Sequence, residues 1–164
     1  MPRLASLAFA LALASSPAAF AQTAIAPSIW TEIAPMPQAQ VEAGAVLLDG
    51  KIYVMGGWAD ETAPWAETRI YDIAGNSWSA GVPMPEAIHH QGVATVGGKI
   101  YVVGGFGRKF PEREPLASVH IFDPATKTWT KGAPMPSPRG AGIAAAIGTT
   151  IYYAGGERRR APMT

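Results

Sequence analysis

The sequence predicts an all-β protein built from repeated four-stranded antiparallel sheets. Three sets of markers carry that prediction, because they move along the chain in step. A Gly pair closes an apolar stretch at Gly56-Gly57, Gly104-Gly105 and Gly155-Gly156. A Trp recurs at Trp30, Trp78 and Trp129, and a Pro-Met-Pro triplet at 35–37, 83–85 and 134–136. All three advance by 48 and then by 51 residues. Unrelated markers held in register over such a period define an internal structural repeat.

The strands follow from local pattern. In the first full unit, Ala43 to Leu48 is a short apolar strand. Asp49-Gly50 is a hairpin turn, since both central positions need positive φ. Lys51 to Met55 returns, and the Gly pair ends it where backbones come close or bend. Thr68 to Asp72 alternates as a third strand, Ala74 to Asn76 turns, and Ser77 to Ser79 is a fourth. The second unit repeats this with Gln91 to Val96, Gly97-Gly98, Lys99 to Val103, Ser118 to Asp123 and Thr128 to Thr130. A third unit supplies Gly140 to Ile147, a turn at Gly148-Thr149, and Thr150 to Ala154. Ser28 to Thr31 reads as a lone fourth strand.

Composition agrees. Only 15% of the 164 residues are charged, while Gly (18) and Pro (15) are abundant, which suits short strands and turns over helices. The formal charge of +1 offers no basic face, so nucleic acid is excluded as a partner. Arg158-Arg159-Arg160 reads as a solvated loop. There is no Cys, so packing and strand pairing must hold the fold without disulfides. Residues 1–21 have the layout of a secretory signal peptide: Arg3, an apolar run from Leu4 to Ala14, a break at Ser15 to Pro17, and small residues at Ala19 and Ala21. The run is about half the ~20 residues a membrane span needs. The mature chain is therefore expected to begin near Gln22, to lack a membrane span, and to be periplasmic or secreted.

Four short antiparallel strands per repeat make the blade of a β-propeller. One such sheet cannot bury both faces alone, and stacking against neighbours does so. Small residues on the inner strands fit the crowded centre. Tyr71, Trp78, Phe122 and Trp129 fit the wider periphery. The Gly pairs, Tyr71-Asp72 and Phe122-Asp123 before a turn, the Trp after it, and Pro-Met-Pro together resemble the kelch repeat family. The resemblance covers about residues 28 to 156. It implies a kelch-type propeller, galactose oxidase-like in its blades, whose Gly-Gly strand follows the innermost one. The expected organisation is a signal peptide (1–21), a lone outer strand and linker (22–40), blade 1 (41–85), blade 2 (86–136) and a partial blade 3 (137–164). Kelch propellers commonly have six or seven blades, so an incomplete ring is expected, either a fragment or a ring completed by self-association through an exposed blade face.

The resemblance also implies that ligands meet one mouth of the ring, reached by the segments leading into the innermost strands. Those segments are Gln40 to Glu42, His89 to Gln91, and Pro138-Arg139. Counted back from the Gly pairs, Glu42 and His90 hold the same place, and Gln40, Ile88 and Arg139 another. Candidate ligand-binding residues are thus Glu42, His89, His90 and Arg139. Several kelch binding modules place Arg at these lead-ins to hold acidic partners, and only Arg139 keeps that character. Adjacent residues on a strand point to opposite faces, so His89 and His90 are not expected to share an ion. No metal and no cofactor is expected. Without Cys, the Cys-crosslinked Tyr of kelch-like copper oxidases is excluded. Trp65 and Phe106 read as aromatics folded over their blades, with a sugar-stacking role as the alternative. No catalytic motif is present. The function expected is an exported binding module for a protein or carbohydrate ligand. The alternative is a periplasmic carbohydrate-active enzyme resembling the sialic acid mutarotases (N-acetylneuraminate epimerases), with Glu42, His90 and Arg139 as acid and base groups.

Overall fold

The computed structural model describes residues 30–59, 63–108 and 112–158. Signal-peptide residues 1–21 therefore lie outside the described residues, as do Ser28 and Ile29 of the expected lone strand. Trp30 and Thr31, the rest of that stretch, form no strand. Among the described residues, those from Ile33 to Arg158 make one compact unit.

That unit holds ten strands: β1 (Gly44–Leu48), β2 (Lys51–Met55), β3 (Thr68–Asp72), β4 (Ser77–Ala80), β5 (Gly92–Val96), β6 (Lys99–Val103), β7 (Val119–Asp123), β8 (Thr128–Lys131), β9 (Gly140–Ile147) and β10 (Thr150–Glu157). They form two four-stranded antiparallel sheets, β1-β2-β3-β4 and β5-β6-β7-β8, and a two-stranded sheet of β9 and β10. The fold is all-β, as expected. The innermost strands β1, β5 and β9 lie side by side, so the sheets are neighbouring blades. Among the described residues the ring is not closed: Leu47 on β1 and Ile143, Ile147 and Tyr152 on β9 and β10 are exposed.

The hairpins take the turns their residues require. Asp49 and Gly50 have φ of 49° and 71°, and Gly97 and Gly98 have 58° and 72°. At Gly148-Thr149 only the Gly is positive, at 59°. The β3–β4 and β7–β8 turns use the repeated Asp. Asp72 accepts the Gly75 N–H at 2.8 Å and Asp123 the Ala125 N–H at 3.0 Å. Each carboxylate also pairs across the blade, Asp72 with Lys51 and Asp123 with Lys99. The hydrogen bond from the lysine holds each carboxyl below its usual range, and the aspartate holds each lysine above its own.

The core is the layer between blades. Tyr53 and Met55 from β2 face Ile100 and Val102 from β6 and Phe122 from β7, with Met84 and Ile88 from the connector closing one end. Tyr53 and Phe122 meet at 6.3 Å between ring centroids. Met55, Ile88, Ile100 and Val102 have no exposed surface, and burying each such side chain contributes roughly 1.5–3 kcal/mol.

The three sequence markers meet physically. Trp78 donates from its indole to the Ala34 carbonyl at 2.8 Å, and Trp129 to the Val82 carbonyl at 3.4 Å. Each Trp thus holds the chain just ahead of a Pro-Met-Pro triplet. The Met of the triplet reaches back to the first Gly of the pair: a Cβ there would lie 3.0 Å from Met84 Cε at Gly56, and 2.7 Å from Met135 Cε at Gly104. The second Gly donates to the next blade, Gly57 to Ile88 O at 2.8 Å and Gly105 to Arg139 O at 2.9 Å.

Candidate functional site

The lead-ins to the innermost strands gather three of the four expected residues. Glu42 and His90 precede β1 and β5 at equivalent positions, with φ of 58° and 55°. Ala141 takes the same conformation at the start of β9, with φ of 58°. A backbone ladder links them: His90 N–H donates to Glu42 O and Ala141 N–H to His90 O, each at 2.9 Å. Equivalent residues of neighbouring blades are therefore adjacent, and the Glu42 and His90 side chains are set together by the repeat itself.

The left-handed backbone at His90 breaks strand alternation. The expectation that the two histidines diverge is overturned, because their Nδ1 atoms lie 2.8 Å apart. Glu42 Oε2 sits 3.0 Å from His89 Nδ1 and 3.1 Å from His90 Nδ1. His89 is 1% exposed, whereas the Glu42 and His90 side chains are 32% and 31% exposed, so the triangle has a dry side and a wet side.

The proton count matters here. His89 Nε2 is 2.8 Å from the Arg108 carbonyl, which can only accept, so Nε2 carries the proton. In neutral His89 the Nδ1 lone pair then faces the Glu42 carboxylate, another acceptor. Burial pushes the His90 pKa down, with the nearby Glu42 carboxylate opposing it, and His89 and Arg113 lower it further.

Aromatic rings wall the cluster. Trp58 stacks on His89 at 4.3 Å and 25°, and Phe106 packs against it, tilted, at 5.5 Å. Phe106 also meets His90 edge-on at 5.8 Å. It is 2% exposed, which fits an aromatic folded over its blade. Trp65 is half-buried with the Arg69 guanidinium 5.4 Å above its ring. Arg113 lies over Phe106 at 5.1 Å and pairs with Glu157 at 2.8 Å.

Sequence reasoning passed over Trp58 and Glu157, yet a signal exists. Trp58, Phe106 and Glu157 each follow a Gly pair directly. They pair with the residue one place before the left-handed position: Val41 with Trp58, His89 with Phe106, Gly140 with Glu157.

Arg139 takes a different place. Its guanidinium donates to Gly155 O at 2.9 Å, and it lines a cleft with Met135, Ile151 and Tyr153 between blade 2 and the β9–β10 sheet. Tyr153 donates to Arg139 O at 3.4 Å and accepts from Gly142 N–H at 3.1 Å. Burial raises the Tyr153 pKa, so it stays a neutral donor.

Comparison with known proteins agrees with this architecture. Residues 21–158 match the profile of the KLHDC2/KLHL20/DRC7 Kelch-repeats domain. The solved structure of YjhT superposes with a TM-score of 0.69 at 18% identity, covering 79% of this chain and 48% of that one. That likeness speaks to the fold, and the chain spans about half the length of that structure. A search of curated proteins found no match. With the markers, the blades and the profile in agreement over most of its length, the chain belongs to the kelch-repeat family.

Proposed function

We propose that the chain is an exported kelch module that binds a protein or carbohydrate ligand at the face carrying Glu42, His89 and His90. The observation that carries this reading is the convergence of a half-exposed carboxylate and imidazole on the lead-ins of two blades, beside the Arg113–Glu157 pair. Rigid strands hold these groups, while the loops above them are free to vary with the ligand. Titrating the protein with a panel of sugars and acidic peptides, read by tryptophan fluorescence because Trp58 stacks on His89, is expected to give saturable binding. Glu42→Ala should weaken that binding at least tenfold. Saturable binding that ignores Glu42→Ala would place the ligand elsewhere.

A second reading rests on one contact. Glu42 and His90, 3.1 Å apart on the wet side, are the pair of groups an anomer interconversion needs as acid and base. Proton NMR of sialic acid decides between the two, since faster anomer exchange with added protein would replace the binding reading by an enzymatic one. Export is tested by the mature N-terminus. Protein recovered from the periplasm of a bacterial host should begin at Gln22, and intact Met1 there would overturn it.

A further inference from the structure

We propose that Glu42, His89 and His90 form a binding site for a first-row divalent cation, held by both Nδ1 atoms and the Glu42 carboxylate on one face of a six-coordinate shell. Three features lead to this. The three ligand atoms are separated by 2.8, 3.0 and 3.1 Å. Ligands about 2.1 Å from an ion lie about 3.0 Å apart when they share an octahedral face, against about 3.4 Å in a tetrahedron. The triangle therefore suits a facial arrangement of two histidines and one carboxylate, with the remaining positions open on the wet side for water or a ligand.

The second feature is the set of lone pairs. The Arg108 carbonyl fixes the proton of His89 on Nε2. This is the outer contact that ordinarily orients a metal-binding imidazole. In neutral His89 a nearly fully buried Nδ1 lone pair is thus aimed at a carboxylate oxygen 3.0 Å away, with a second imidazole nitrogen 2.8 Å from it. One proton on His90 Nδ1 cannot serve all three edges, whereas a cation at the centre satisfies them together. The third feature is rigidity. Trp58 and Phe106 both pack against the buried His89, and the backbone ladder fixes Glu42 against His90, so the ligands are arranged before an ion arrives.

This inference does not depend on the binding reading above, because it is tested with inorganic ions alone. The full chain, freed of any purification tag, is dialysed against Zn2+ or Co2+ and the bound metal counted. One equivalent per chain is expected, and the Co2+ form should show the weak visible absorption of six-coordination. Loss of an outer contact typically costs 10–100-fold in affinity, so loss of a direct ligand in Glu42→Gln or His90→Gln should cost at least about 100-fold. His120 is the one remaining histidine of the chain's three, and His120→Gln should leave affinity unchanged. Circular dichroism checks that each variant is folded. Metal binding unaffected by Glu42→Gln and His90→Gln, or none below millimolar ion, would overturn the proposal.

Discussion

Gly56→Ala is expected to destabilise the protein by about 4 kcal/mol or more, a size reached only when a substitution strikes the packing itself. Gly155→Ala, at the same place in the third repeat, should cost about 1 kcal/mol. Both glycines have left-handed backbones, with φ of 67° and 70°, so the penalty for giving an L side chain that conformation is common to the pair. Their surroundings differ. A Cβ at Gly56 would lie 2.3 Å from Ile88 O and 2.7 Å from the Gln91 side chain, while one at Gly155 meets nothing within 4 Å. Ile88 O cannot withdraw without giving up the 2.8 Å bond from Gly57 N–H that ties blade 1 to blade 2. The difference between the two variants, read by urea unfolding, isolates the cost of separating blades. Equal losses would show that the repeated glycines serve local backbone geometry and not blade stacking.

The strands were legible because each rests on a local rule that tertiary packing did not override. Lys51–Met55, Thr68–Asp72 and Gly140–Ile147 lie where alternation and turn residues place them. β10 reaches Glu157, past the Gly155-Gly156 pair at which the sequence pattern ends the strand. In blades 1 and 2 the chain after the Gly pair makes only isolated bridges, Trp58 to Val41 and Phe106 to His89 and Pro115, whereas Glu157 pairs with Gly140 in the same register as the rest of the β9–β10 hairpin. The site was half legible. Repeat arithmetic put Glu42 and His90 in equivalent places, and adjacent blades then brought them together. What could not be read was the left-handed backbone at these positions. Glu and Ala give no sign of it, since positive φ is uncommon outside Gly, Asn, Asp and His. It is imposed by the ladder from His90 N–H to Glu42 O and from Ala141 N–H to His90 O, a contact between blades that no single repeat contains. Arg139 lies two residues ahead of the left-handed Ala141. It stands before the left-handed position, where its carbonyl serves Gly105 and its side chain turns to Gly155.

Phe106→Ala should cost about 3–5 kcal/mol, the range for emptying a buried aromatic site, because Phe106 is where the cluster and the third sheet meet. Its backbone bridges His89 and Pro115, and its ring touches both histidines. Against that ring lies the start of β9, where a Cβ at Gly140 would fall 2.5 Å from the Phe106 ring. Gly140 is small because Phe106 is large. Phe106→Leu, which keeps most of the volume, should cost less than about 1.5 kcal/mol. Gly140→Ala alone should be strongly destabilising, since the ring has to move from between the histidines and β9. In the Phe106→Ala background the added methyl enters space already vacated, so it should be nearly neutral or restoring. The four unfolding free energies form a double-mutant cycle with an expected coupling of at least about 2 kcal/mol. Additive losses would mean that the ring and the glycine do not share that space, and that the wall of the histidine cluster is set by other contacts than the packing of blade 2 on β9.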